Sequence, residues 1–154
     1  MRPWLTVLAL VLAFNHIDAV GAAQRRDAAL WVTFGDSDQL VEIDAYTFKE
    51  IRRLNTYTHA LQLVKNDTEL WVTDCVNDLL RIVRTSDLTE VAQIRVGKFP
   101  HWIAVRPDGQ VLFVSLWDPH AVAAIDIASR KVLTNIQFPR GSGPKRILVA
   151  PKPS

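Results

Sequence analysis

Apolar residues along this chain come in short alternating runs, and the runs recur at a fixed interval. Leu30-Trp31-Val32-Thr33 returns forty positions later as Leu70-Trp71-Val72-Thr73, and after a further 42 as Leu112-Phe113-Val114-Ser115. A turn-rich segment follows each: Gly35-Asp36-Ser37-Asp38, Val76-Asn77-Asp78 and Asp118-Pro119-His120. These residue types tolerate a left-handed backbone or preset φ. A second apolar run is centred on Ile43, Val83 and Ile125. A third holds Ile51 and Leu54, then Val91 and Ile94, then Leu133 and Ile136. The fourth holds Leu61 and Leu63, then Ile103 and Val105, then Ile147 and Val149. Alternation over five or so residues, rich in Val and Ile, predicts β-strands with one face packed more deeply. Pro107-Asp108-Gly109 and Lys65-Asn66-Asp67 supply the turn from a fourth run into the next core.

A repeat of about forty residues made of four short strands is the mark of a β-propeller blade. The expected fold is therefore all-β, with blades of four antiparallel strands. One meander cannot bury both its faces, so neighbouring blades must cover each other. Trp31, Trp71 and Phe113 hold equivalent positions and are expected at the blade interfaces. The strands run as three, four, four and a final one, from Ala29–Phe34 to Arg146–Ala150. Twelve strands make about three blades, whereas closed propellers hold roughly four to eight. Residues 24–154 are thus read as a partial propeller whose end sheets expose apolar faces. Pairing of two copies into a six-blade ring, or truncation of a longer propeller, would account for the number.

The N-terminus stands apart from the repeats. Met1-Arg2, an apolar run from Leu5 to Phe14 and small residues at Ala19, Gly21, Ala22 and Ala23 form the pattern of a secretory signal peptide over residues 1–23. The apolar run is shorter than the roughly 20 residues a membrane span needs. The expected location is exported, periplasmic or extracellular, with no membrane attachment after cleavage. Beyond residue 23 the chain keeps 17 basic and 15 acidic residues, a net charge of +2 with both signs interspersed. No basic stripe suggests nucleic acid. Cys75 is the only cysteine, which excludes an intramolecular disulfide and a Cys-x-x-Cys-His haem attachment.

The stretch from Val96 to Ser115 joins Val-Gly-Lys-Phe-Pro, an apolar strand, Pro107-Asp108-Gly109 and Leu112-Phe113-Val114-Ser115. It resembles the YVTN-type β-propeller repeat. Ala121 to Asp126 is similar to that family's Val-Ile-Asp strand, and Ser129-Arg130-Lys131-Val132 to its turn into the outer strand. The likeness is strongest in the third repeat; Gly97 and Pro100 have no counterparts before Leu61, and Val83-Arg84 replaces Ile-Asp. The resemblance implies an exported protein, with relatives among lactonase-like (YncE-like) proteins and the propellers of nitrous oxide and haem-containing nitrite reductases. It does not choose among their activities.

Candidate chemistry is sparse. His59 and His101 lie 42 residues apart just before their innermost strands, and Lys145 takes the third such place. In a propeller these positions border the mouth of the central channel. Imidazole is a common metal ligand, but two histidines and a lysine do not complete a coordination sphere. A channel-rim ligand site of His59, His101, Trp102 and Lys145 is therefore expected, without a catalytic residue, metal or cofactor. Trp102 and Trp117 have no aromatic counterparts in the other repeats; burial under a neighbouring loop is favoured over a role as binding anchors. His120 reads as an exposed loop residue, and the aspartates at Asp36, Asp38, Asp74, Asp78 and Asp118 as turn formers. The expected function is a binding or interaction module. Its partner would be a second copy or another propeller-type or periplasmic protein. A lactonase-like or cofactor- or metal-handling enzyme is the alternative, and a remnant of a longer propeller a third reading.

Overall fold

A computed structural model describes residues 28–34, 38–56, 61–64 and 67–150, the stretch 61–64 by its backbone. The expected signal peptide and His59 lie outside them. The described residues form eleven strands. The first sheet holds β1 (Ala29–Phe34), β2 (Gln39–Asp44) and β3 (Glu50–Asn55), in the order β1-β2-β3. The second holds β4 (Leu61–Val64), β5 (Glu69–Asp74), β6 (Leu79–Arg84) and β7 (Glu90–Arg95) in chain order. The third is β8 (Pro100–Val105), β9 (Val111–Leu116), β10 (Ala121–Asp126) and β11 (Lys131–Gln137), again a consecutive meander. These are the blade-type sheets that the repeat predicts.

The repeat is also written in the backbone. Asp38, Asp78 and His120 take φ of 50°, 63° and 51° at equivalent turns, and Phe48, Leu88 and Arg130 take 59°, 59° and 57° at the next. Asp and His tolerate the left-handed region; Phe, Leu and Arg hold it only where surrounding bonds impose it. The amides of Phe48 and Leu88 themselves donate to the Asp44 and Arg84 carbonyls, and other turn bonds recur across the repeats. The amides of Thr56, Val96 and Phe138 donate to the carbonyls of Asp38, Asp78 and His120. Ala45, Thr85 and Ile127 likewise donate to Ala28, Thr68 and Gln110. Where the second repeat lacks the aspartate found at Asp44 and Asp126, Asp87 takes over, accepting from the Thr89 amide and pairing with Arg84.

The chain divides into two compact units. One contains Val41–Arg53 with the residues up to Val32; the other contains Thr33–Leu40 and everything from Leu54 onward. In the first, Arg52 pairs with Glu42 and sits over the half-buried Trp31 ring at 5.8 Å. In the second, one apolar cluster joins two sheets: Trp71, Leu80, Ile82, Ile94 and Val96 meet Leu112, Val114, Leu116, Ala121, Ala123 and Ile125. The odd-numbered face of β5 thus packs on the even-numbered face of β9. Trp71 is fully buried there, its indole N–H held by Glu69 at 2.9 Å. Arg130 of the β10–β11 turn reaches the other Glu69 oxygen at 2.8 Å, clamping the two blades at one end. Phe113 lies on the opposite face of β9 from this cluster and is only half-buried, so within this unit Trp71 fills the interface as expected and Phe113 does not.

A buried ion pair stiffens the second blade. Asp74, fully buried, accepts from the Val76 and Asn77 amides, from Asn77 Nδ2, and from Arg81 at 2.8 and 2.6 Å. Arg81 also donates to Glu90 at 2.7 Å. Burial works to lower the Arg81 pKa, but the hydrogen bonds to Glu90 and Asp74 outweigh it and hold the guanidinium above its ordinary value. One expected strand is not formed. Among the described residues Arg146–Ala150 pairs with no strand and forms no ladder.

Candidate functional site

Antiparallel pairing brings four connections to one end of the second and third sheets. Pro100 at the start of β8 pairs with Leu116 at the end of β9, and Leu116 pairs with Ala121 at the start of β10. The β7–β8 loop, the β9–β10 turn and the segment after β11 therefore gather there, beside the β5–β6 turn. The Trp117 amide donates to Phe99 O at 3.1 Å, and the Phe99 amide to Asp78 Oδ1 at 3.0 Å, stitching three of them together.

At the centre of this end is Ser115. The register of β8 slips between Pro100 and Ile103, so His101 and Trp102 together oppose Ser115 in a bulge. The fully buried Ser115 hydroxyl accepts from the Trp102 amide at 3.0 Å and donates to the Lys145 carbonyl at 2.7 Å. One hydroxyl thus joins its own blade's innermost strand to the segment that follows β11. Thr73, one repeat earlier, points its hydroxyl at His101 O at 3.4 Å in the same sense.

The segment after β11 is held a second time by His120, whose Nδ1 accepts from the Gly143 amide at 3.3 Å. This is the contact Asp78 makes to Phe99, moved on by one repeat. His120 is half-buried, not an exposed loop residue, because its turn position requires a side-chain acceptor for the next connection. Pinned at Gly143 and Lys145, the segment sets two cations on two indoles. Lys145 Nζ stands 4.4 Å from the Trp117 ring centre, and the Arg146 guanidinium 5.5 Å from that of Trp102. His101 stacks on Trp117 with ring centres 6.2 Å apart and planes at 30°.

Three of the four expected rim residues, His101, Trp102 and Lys145, therefore share one cluster; His59 lies outside the described residues. Trp117, Arg146, Ser115 and His120 complete it and were not among the site residues that sequence reasoning selected. Aligning the third repeat onto the tail by the 44-residue step from His101 to Lys145 would have matched Gly143 with Phe99 and exposed the His120 role. Trp102 and Trp117 remain 37% and 38% exposed rather than buried under a loop. Nearby in the β5–β6 turn, burial pushes the Cys75 thiol pKa up, and the carboxylates of Asp74, Asp38 and Asp78 add to the rise. Among the described residues no three His, Cys, Asp or Glu side chains converge as a metal site.

No protein-family model and no curated protein sequence matches the chain. Solved structures do match, and they are β-propeller proteins. The chain is similar to Kuenenia stuttgartiensis hydrazine synthase at a TM-score of 0.67 and 20% identity, covering 74% of this chain and 34% of that one. It is similar to virginiamycin B lyase from Staphylococcus aureus at 0.64 and 17%, covering 77% and 41%. Its match to the dihydro-heme d1 dehydrogenase NirN is at 0.61 and 17%, covering 75% and 25%. At such identities the likeness shows the propeller fold alone, and the chain spans less than half the length of each of these relatives.

Proposed function

We propose that this chain is an exported propeller module of YVTN type that works by binding, with the end of the third blade as its ligand-contacting rim. The observation that carries this reading is the cluster of two half-exposed indoles, His101 and two cations gathered around Ser115 by three separate connections. Aromatic rings with a polar partner at hand are what small-molecule and interface sites use as anchors. The segment bearing the cations is fixed by the Ser115 and His120 bonds, so little ordering is left to oppose binding. The test is a titration of the purified chain with sugars, nucleotides, amino acids, fatty acids and aromatic acids, following the indole N–H resonances of Trp102 and Trp117. A saturable shift with at least one class is expected; silence with all of them would refute a ligand-binding rim.

A second copy, or another propeller-type or periplasmic protein, is the partner proposed for the blade edges. β1 is an edge strand in a three-stranded sheet, where the other two sheets have four strands. An open strand edge is a template for pairing with another chain. Light scattering on the purified chain should give a dimer or larger species, and a well-folded monomer would overturn self-association.

A further inference from the structure

We infer that the rim takes a small organic anion with a flat apolar body, its carboxylate or phosphate held by Lys145 and Arg146 and its body against Trp102 and Trp117. This rests on the rim being a ligand site, and names the chemistry that the site selects. Several cations of the chain are given a carboxylate. Arg81 has Asp74 and Glu90, Arg84 has Asp87, Arg106 has Asp108, and Arg130 has Glu69. Lys98, at the same end as the cluster, reaches Asp118 at 3.8 Å. Lys145 and Arg146 are not, and among the described cations without an ion pair they alone lie on indoles. Among the described residues neither takes part in an ion pair, and each lies on an indole instead.

A ring face attracts a cation but leaves its charge in place. Two adjacent positive charges are therefore held at fixed positions on a pinned segment, beside aromatic surface that is more than one-third exposed. An anion can sit on the outer side of these cations without displacing an internal carboxylate. An apolar body attached to it covers indole surface that water now wets. Neither half of the arrangement selects a ligand alone: a bare anion gains no burial, and a neutral ring gains no charge contact.

The test uses the full chain, labelled for indole N–H detection, and three probes. 2-Naphthoate carries both charge and flat body, 2-naphthalenemethanol the body alone, and acetate the charge alone. Naphthoate is expected to shift the Trp102 and Trp117 resonances saturably while Trp71, buried between blades, stays still. The alcohol and acetate should each bind at least about tenfold more weakly, and the Lys145→Gln/Arg146→Gln variant should lose roughly tenfold for naphthoate. Equal shifts with the alcohol would overturn the anion assignment while leaving the rim a ligand site. Absence of shifts at Trp102 and Trp117 with all three probes would overturn this inference, and the broader panel would then decide the rim itself. If the double variant unfolds, as a moved Trp71 resonance would reveal, the three-probe comparison on the unaltered chain still decides.

Discussion

Ser115→Ala removes one oxygen from a fully buried residue and should loosen both the third blade and the rim. The side chain shrinks by a single polar atom, so cavity formation contributes little. What is lost is the pair of hydrogen bonds, 3.0 Å from the Trp102 amide and 2.7 Å to the Lys145 carbonyl. An ordinary intramolecular bond contributes about 1 kcal/mol net, and a buried group left without a partner costs about 1–3 kcal/mol. Lys145 is exposed, so its carbonyl can turn to water; the Trp102 amide lies in a bulge and has no ladder oxygen to fall back on. Together these give a loss of roughly 2–3 kcal/mol. At about 2–4 °C per kcal/mol for a chain of this size, Tm should fall by about 4–12 °C.

Thermal unfolding followed by circular dichroism measures that fall. Indole resonances locate it, since Trp102 and Trp117 should shift while Trp71 holds. Ser115→Thr keeps the hydroxyl and copies the second repeat, where Thr73 is fully buried at the equivalent position, so it should restore most of the loss. A Ser115→Ala protein within 0.5 °C or so of the parent, with unchanged Trp102 and Trp117 signals, would show that the hydroxyl is not the joint described here.

Breaking the buried pair by Arg81→Leu should cost about 3–5 kcal/mol, because the enclosed Asp74 carboxylate loses its cation partner; adding Asp74→Asn should recover part of it, as read by urea unfolding. At Gly97, with φ of 127°, a Cβ would meet Leu116 Cδ1 at 2.9 Å, and Leu116 is too buried to yield. Gly97→Ala should therefore destabilise by about 2–4 kcal/mol, and Gly109→Ala, which meets open space at φ 70°, by only about 1 kcal/mol. The carboxyls of Asp108 and Asp126 lie below their ordinary 3.8, held there by the Arg106 and Ser129 side chains respectively. A depressed carboxylate stabilises the folded state above its unfolded pKa and loses that contribution as pH falls through the folded value. The urea midpoint should thus drop as pH falls below about 4, and Asp108→Asn/Asp126→Asn should flatten the drop. With its pKa raised by burial, Cys75 should react with iodoacetamide at neutral pH more slowly than a free thiol, and urea should remove the difference.

The strands and their turns are local properties, and the sequence by itself determined them. Alternating apolar residues define a strand face, and Asp, Asn and Gly at fixed offsets define the turns; β1 falls on the expected Ala29–Phe34. The blade class follows, because the same local pattern recurs at forty-residue steps. Which faces are covered is a different matter. Trp71 and Phe113 hold the same place in the repeat, yet one is sealed between blades and the other half-buried, since burial depends on a neighbouring sheet and not on a residue's own strand. Arg146–Ala150 alternates as a strand should and forms none, since alternation marks a strand face but a ladder is made only by pairing with a neighbouring strand. The rim was legible only in part. His101, Trp102 and Lys145 stood out by their place in the repeat, but Trp117, Ser115, His120 and Arg146 join them through contacts spanning 13 to 44 residues. Only the stacking of the blades and the path of the chain after β11 decide which of these side chains meet.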